Sequence, residues 1–273
     1  MNRPPSMDHV IGVSWPRSGH HLLVRLLTIY FGPGFGYCDY YGGVKNCCKT
    51  VPCRRRSEIF LTKSHDFDRK LPQLRKQKYL VQYRDFIPSV VSNFELHVRN
   101  GAADTLESFR KFASTEFDRY QLFVQKWVTS AFGQNQLVIP YEDLLNDTEG
   151  CLAATVLYLC PSTELDRAKI RQAVERVDGE RIEHGHVQRL NKIGVHPARK
   201  IEEFRHYRPA MFDAMRHMTL SRAQVERAFS EILGRKPVAQ NMIRLQAYPS
   251  VEALREMLKG SEEYTTKLGA KDG

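Results

Sequence analysis

A short polar segment with one cation, two imidazoles and a hydroxyl group separates an apolar run from a helix-forming run near the start of the chain. Its residues are Pro16, Arg17, Ser18, Gly19, His20 and His21. A helix that begins here offers unpaired backbone N–H groups and a partial positive charge, which together bind phosphate or sulfate. The segment does not match the G-x-x-x-x-G-K-[ST] pattern, because it has one glycine and no Lys before its hydroxyl residue. It therefore disfavours a magnesium-bound nucleoside triphosphate, and it is compatible with a site for another phosphate ester or with a Pro-Gly turn before a helix.

Strands and helices that alternate along the chain must position this segment. Runs rich in Val, Ile, Leu or Tyr predict strands over residues 9–15, 58–64, 79–84 and 136–141. Apolar residues at helical spacing predict helices over residues 22–30 and 106–131. This alternation is typical of an α/β fold with a central, mostly parallel β-sheet flanked by helices. Such sheets bind ligands beyond the carboxyl ends of their strands, where the polar segment lies.

The remainder of the chain predicts one long loop and a helical second half. Residues 31–56 have no clear period and predict a long irregular insertion. Helical patterns cover residues 151–159, 165–177, 202–218, 221–233 and 251–258. We interpret residues 1–273 as a single domain. Its core covers about residues 8–218, its helical C-terminal extension about 219–260, and its frayed tail 261–273.

Composition narrows the classes of partner. The 273 residues include 41 Lys+Arg and 31 Asp+Glu, and the net charge of +10 favours an anionic partner: nucleic acid, an anionic surface or an anionic small molecule. No apolar run approaches the roughly 18 residues that a membrane span needs, and a basic-then-apolar leader is absent from the first residues. The expected location is cytoplasmic.

Four of the six cysteines are close together in the long loop. They are Cys38, Cys47, Cys48 and Cys53. Their spacing contains no C-x-x-C pair and no following histidine pair, so it does not match the usual zinc patterns. We expect reduced thiols in a loop and no metal site.

Four motifs, each at a strand end, occur in an order that resembles the sulfotransferases that use 3′-phosphoadenosine-5′-phosphosulfate (PAPS) as donor. They are Pro16-Arg17-Ser18-Gly19, Lys63-Ser64-His65, the segment from Tyr83 to Phe94, and Tyr141-Glu142-Asp143-Leu144. The resemblance covers about residues 10–159 well and residues 179–218 weakly. It implies a P-loop nucleotide-binding-like fold, the product adenosine 3′,5′-bisphosphate (PAP), an acceptor that carries a hydroxyl group, and no metal.

The resemblance assigns catalysis to His65, Lys63 and Arg17. A histidine with a pKa near 6.5 is suited to take the acceptor proton at neutral pH. A lysine ammonium stabilises the charge that grows on the sulfuryl and bridging oxygens. Side chains at i and i+2 of a strand share a face, so Lys63 and His65 are expected to point the same way.

The resemblance also assigns residues to the donor. The 5′-phosphosulfate is expected on residues 16–21, and the 3′-phosphate on Arg84 and Ser92, which can meet it through charge-assisted hydrogen bonds. A late Arg-Lys-Gly element is matched imperfectly by Arg189, Lys192 and Gly194, and Arg199-Lys200 is the competing placement.

The chain departs from the family pattern within the polar segment. Arg17 replaces the Lys of the cytosolic members, and His20 and His21 replace two threonines. Leu22 replaces an aromatic residue that stacks on adenine, so the stacking residue is not identified. The resemblance implies an acceptor that is a carbohydrate or a small molecule. The alternatives are a small-molecule kinase of related fold and a basic nucleic-acid-binding protein, although no nucleic-acid-binding motif is evident.

Overall fold

The structure is a computed structural model that describes residues 7–39, 47–179 and 200–269. The chain divides into two compact units, each discontinuous in sequence. The first unit comprises Met1–Asp85 and Leu122–Ala198, and the second comprises Phe86–Gln121 and Arg199–Gly273. The single-domain assignment stays a prediction.

The first unit contains a five-stranded sheet in which every neighbouring pair of strands is parallel. The strands are β1 (Val10–Ser14), β2 (Tyr37–Asp39), β3 (Leu61–Ser64), β4 (Lys78–Tyr83) and β5 (Leu137–Pro140). Their order across the sheet is β2-β3-β1-β4-β5, so β1 is central. The predicted α/β class is confirmed. Since all strands are parallel, their carboxyl ends lie at one edge of the sheet.

Helices fill most of the remaining described sequence. They are α1 (His20–Phe31), α2 (Phe86–Arg99), α3 (Leu106–Trp127), α4 (Tyr141–Asn146), α5 (Thr148–Leu159), α6 (Arg167–Gly179), α7 (Pro209–Arg216), α8 (Arg222–Leu233), α9 (Met242–Gln246), α10 (Val251–Lys259) and α11 (Glu262–Gly269). Among the residues described, none of these helices has the length and apolar character needed to cross a membrane.

Helices cover both faces of the sheet in the first unit. On one face, α1, α5 and α6 bury a shared apolar core against strand residues such as Val10 and Leu80. Neighbouring side chains on a strand point to opposite faces, so Tyr79 points to the other face. There its ring lies 5.3 Å from the ring of Trp127, at the end of α3. The sheet is therefore buried on both sides, as parallel sheets usually are.

A buried carboxylate fixes the chain directly after the end of β3. Asp66 is 4 % exposed, and its Oδ2 accepts hydrogen bonds from Lys126 Nζ at 2.7 Å and Trp127 Nε1 at 2.8 Å. Its Oδ1 accepts a hydrogen bond from the backbone N–H of Leu71 at 2.7 Å. These bonds hold the turn that follows His65.

Three local expectations differ from the structure. The stretch predicted to be irregular contains β2, which pairs with β3. The helix predicted over residues 202–218 is present but shorter. A 3-10 turn covers Ile201–Glu203, and α7 begins only at Pro209, which suits a first helical position because it lacks an N–H group. The predicted tail contains α11.

The second unit consists of helices around two apolar clusters. One cluster joins α2, α3 and α7 through residues such as Phe94, Phe109 and Phe212. The other joins α8, α9 and α10 through residues such as Val225, Leu245 and Leu254.

Candidate functional site

The polar segment after β1 forms a tight loop with left-handed backbone at two positions. Arg17 has φ +66° and Gly19 has φ +79°. A non-glycine residue in this region is strained by roughly 1–3 kcal/mol, and such strain concentrates at functional sites. A Cβ atom on Gly19 would lie 2.6 Å from Cδ2 of Tyr141, so only glycine fits there. The loop leads into α1, whose first turn carries no acidic residue, and the start of α1 is therefore suited to an anion.

The Ser18 side chain anchors this loop to backbone carbonyl groups. This side chain is buried, and Oγ donates a hydrogen bond to the carbonyl oxygen of Trp15 at 2.6 Å. The carbonyl oxygen of Gln82, on β4, lies 3.3 Å from the same Oγ. Pro16 is also buried, whereas Arg17 and His21 are exposed. The hydroxyl of Ser18 thus contacts backbone carbonyl groups, whereas Arg17 is exposed to solvent.

The side chain of His20 is buried and contacts residues of the sheet. Nδ1–H donates a hydrogen bond to Gln82 Oε1 at 2.9 Å, and Nε2 accepts one from the Tyr37 hydroxyl at 3.2 Å. Gly12 makes room for the ring, since a Cβ atom there would lie 3.2 Å from His20 Cε1. Burial, and then the charge of Lys63, hold the pKa of His20 well below its ordinary range. His20 is therefore neutral, and it can offer a ligand only its backbone.

His65 follows β3 and is fixed in one tautomer. Its Nδ1 lies 2.5 Å from the carbonyl oxygen of Ser14, which can only accept, so Nδ1 carries the proton and Nε2 the lone pair. Burial is the main cause that lowers the pKa of His65 to about 4, and the neighbouring Lys63 is the second. The ordinary pKa near 6.5 expected from sequence is thus shifted. His65 is neutral at pH 7 and able to accept a proton on Nε2.

Lys63 is buried at the carboxyl end of β3 and has a carboxylate neighbour on β2. The residue is 7 % exposed, and its Nζ lies 3.8 Å from Oδ2 of Asp39, its register partner. Oδ1 of Asp39 is buried and has no hydrogen-bond partner among the described residues. The charge of Lys63 is thus offset in part by Asp39.

Arg84 follows β4 and is oriented by an aromatic ring. Its guanidinium carbon lies 4.4 Å from the centre of the Tyr141 ring, and its Nε lies 3.7 Å from Oε1 of Glu142. That distance is too long for a hydrogen bond, and Nε is buried with no hydrogen-bond partner in the described chain. Burial lowers the pKa of Arg84 from its ordinary value. A buried donor without a partner is costly, so an acceptor on a ligand would stabilise it.

The predicted site residues do not all fall in one described unit. The loop residues, Lys63, His65 and Arg84 lie at the carboxyl edge of β1, β3 and β4 in the first unit. Ser92 lies on α2 in the second unit, so its place beside Arg84 stays a prediction. Arg189, Lys192 and Gly194 lie outside the described residues, as does Arg199 of the competing placement.

Three residues whose roles sequence reasoning missed contact the candidate residues. Asp39 and Tyr37 come from β2, whose three residues are too few to show a strand period. Gln82 is the partner of His20, and its only signal is a polar residue within the apolar run of β4.

The arrangement places groups that suit an anion and a proton acceptor at the same edge of the sheet. A neutral imidazole, a buried ammonium and the amino terminus of α1 lie at one edge of the sheet. Among the described residues, no three His, Cys, Asp or Glu side chains are placed to hold a metal ion. No protein-family model matches the chain, and no curated protein matches it.

Proposed function

We propose that this protein is a sulfotransferase with a P-loop-like fold that moves a sulfuryl group from PAPS to a hydroxyl group of a carbohydrate or small molecule. One observation carries the proposal: Lys63 and a neutral His65 stand at the end of β3, beside the strand that leads into the anion-binding start of α1. A transferred sulfuryl group needs a base and charge stabilisation, and these residues supply both.

The residues of the first unit fit the two charged ends of this donor. The backbone N–H groups at the start of α1 and the exposed Arg17 suit the 5′-phosphosulfate. Arg84, whose guanidinium lies over the Tyr141 ring, has a buried Nε–H that suits one oxygen of the 3′-phosphate. Ser92 and the late basic element remain proposed partners of that phosphate.

His65 and Lys63 would divide the chemistry. His65 takes the hydroxyl proton on Nε2 as the acceptor oxygen bonds to sulfur and the bond from sulfur to the bridging oxygen breaks. The hydrogen bond from Nδ1–H to Ser14 leaves the lone pair on Nε2 before the transfer and holds the ring in place while Nε2 takes the proton. Lys63 and Arg17 stabilise the negative charge left on the phosphate, and this stabilisation is greatest in the transition state.

A kinase of related fold is less well supported because two histidines follow Gly19. The P-loop pattern has Lys and then a magnesium-binding Ser or Thr after its last glycine, whereas this chain has His20 and His21 there. Magnesium ATP is therefore included as a competing ligand in the binding test below. DNA is included as well, because a nucleic-acid-binding protein is the other alternative.

The test compares ligands that differ in the 3′-phosphate. PAP at about 100 times its Kd should stabilise the protein by about 2.7 kcal/mol, which raises Tm by about 5 to 10 °C. Adenosine 5′-diphosphate has the same number of phosphates but no 3′-phosphate, so it should raise Tm much less at that concentration. Arg84→Gln should remove most of the difference between the two ligands.

The matched control is Arg255→Gln, which removes an arginine of the second unit that is paired with Glu231. This variant should respond to both ligands as the wild type does. Equal shifts from PAP and adenosine 5′-diphosphate, or a shift only from magnesium ATP or DNA, would refute the proposal. A screen with sulfur-labelled PAPS over sugars and phenols then identifies the acceptor.

A further inference from the structure

Four thiols of the first unit lie in two close pairs that the proposed sulfuryl transfer does not use. Cys38, on β2, has its Sγ 3.4 Å from Sγ of Cys47. Cys48 has its Sγ 3.6 Å from Sγ of Cys53. A four-thiol metal site is not formed by the described residues. The arrangement is one of two neighbouring dithiols whose charges influence each other.

The two members of the second pair differ in exposure. Cys48 is partly exposed, whereas Cys53 is 4 % exposed and lies behind it. A small reagent in solvent therefore meets Cys48 first. Cys53 is within reach of Cys48 but is shielded from the reagent.

The two members also differ in acidity. The Sγ of Cys48 accepts a hydrogen bond from the Thr50 hydroxyl at 3.1 Å, and this bond is the main cause that lowers the pKa of Cys48 to about 6. Burial raises the pKa of Cys53. At pH 7 Cys48 is a thiolate and Cys53 a thiol, which is the usual division between an attacking and a resolving cysteine.

We propose that Cys48 and Cys53 form a thiol–disulfide exchange pair that low-molecular-weight disulfides oxidise. The Cys48 thiolate attacks one sulfur of the reagent, a mixed disulfide forms, and one reagent thiolate leaves. Cys53 then attacks Sγ of Cys48, its proton goes to solvent or to a departing thiolate, and the second reagent thiolate leaves. The protein loses two thiol hydrogens, and the reagent is reduced to two thiols.

The expected difference in reaction rate follows from the pKa of Cys48 and the pKa of a comparison thiol, Cys151. Cys151 is also partly buried, but burial raises its pKa to about 11. At pH 7 Cys48 is about nine-tenths thiolate and Cys151 about one part in 10⁴. The weaker nucleophilicity of the more acidic thiolate offsets about 10² of this ratio. Cys48 should therefore react about 10- to 100-fold faster than Cys151.

The experiment exposes the reduced full-length protein to glutathione disulfide at pH 7, quenches samples with an alkylating reagent and maps the cysteines by peptide mass spectrometry. The wild type should lose the Cys48 thiol first and end with a Cys48–Cys53 disulfide. Cys53→Ser should instead accumulate glutathione on Cys48, because the resolving thiol is gone. Cys160→Ser, which removes a buried thiol elsewhere in the first unit, should behave as the wild type does.

The wild-type time course needs no variant, so a variant that fails to fold does not remove the test. A Cys38–Cys47 disulfide that forms first, or a Cys48 that reacts no faster than Cys151, would overturn the proposal. Stoichiometric zinc that protects all four thiols would do the same. The readout is a mass at a named cysteine, so it is independent of the proposed sulfuryl transfer.

Discussion

The shifted pKa of His65 predicts how the stability of the first unit depends on pH. A histidine whose pKa is lower in the folded than in the unfolded state costs stability as pH falls, because the unfolded chain then binds more protons. With about 4 in the folded state and about 6.5 in the unfolded state, the loss begins near pH 6.5 and is complete near pH 4. The full difference corresponds to about 3.4 kcal/mol.

The perturbation is His65→Asn, which removes the titrating ring but keeps an amide N–H near the position of Nδ1, where Ser14 can accept it. Between pH 7 and pH 5 the linkage relation gives a wild-type loss of about 2 kcal/mol that is due to His65. This figure is an upper value, because the ring is partly exposed. His20 titrates in the same direction, but it is present in both proteins and cancels in the comparison.

The assay is urea unfolding at pH 7 and pH 5, followed by tryptophan fluorescence. The chain has two tryptophans, Trp15 and Trp127, and both are buried in the first unit, so the signal reports on the unit that holds His65. The wild type should lose about 2 kcal/mol more than His65→Asn over this interval. A control variant, His217→Asn, removes an exposed histidine of the second unit and should keep the wild-type dependence.

A wild type and a His65→Asn variant whose stabilities fall in parallel would refute the reasoning. That result would mean that the ring is well hydrated in the folded state, and that the Lys63 charge does not act on it.

Three further predictions concern the site and its support. In the pH profile of kcat/KM for the proposed sulfuryl transfer, the acid limb reports the free enzyme. This limb should lie near pH 4 rather than 6.5, and it should vanish in His65→Ala. A limb at 6.5 in the wild type would contradict the burial of the ring. Gly19→Ala should destabilise the protein by about 1 to 3 kcal/mol and abolish the Tm shift from PAP, because the new Cβ would collide with Tyr141. The control Gly34→Ala should be tolerated, since the space around Gly34 is open. Equal effects of the two variants in thermal melts would argue against the loop conformation. Asp66→Asn should cost about 3 kcal/mol in urea unfolding, since Lys126 loses its buried carboxylate, and a loss below about 1 kcal/mol would show that the pair contributes little.

The sequence predicts β1, β3, β4 and β5 to within three residues, because each contains or directly follows residues rich in Val, Ile, Leu or Tyr. It misses β2, since three residues that include Tyr37 and Asp39 cannot show a period. The error over residues 202–218 had a local signal, because Pro209 favours a helix that begins at that residue. Helical spacing of apolar residues alone does not show where a helix starts.

The site is predictable in its strand-end residues but not in its chemistry. The positions of Lys63, His65 and Arg84 follow from strand ends and motifs. The tautomer and pKa of His65 depend on the carbonyl of Ser14 and on burial, which arise only when distant strands meet. The side chain of His20 shows the opposite case, because a residue chosen for its position in the loop turns into the sheet.

The discontinuity of the first unit has a consequence for the protein as it is being made. β4 completes its pairing with β5 through contacts such as Leu80 with Leu137, about 57 positions later in the chain. At a synthesis rate of about 5–20 residues per second, the nascent chain carries β4 with an unpaired edge for roughly 3 to 11 s. An apolar strand with an open edge is a template for pairing with other chains. The nascent protein therefore needs protection from aggregation in this interval, while the ribosome makes Phe86–Gln121 of the second unit.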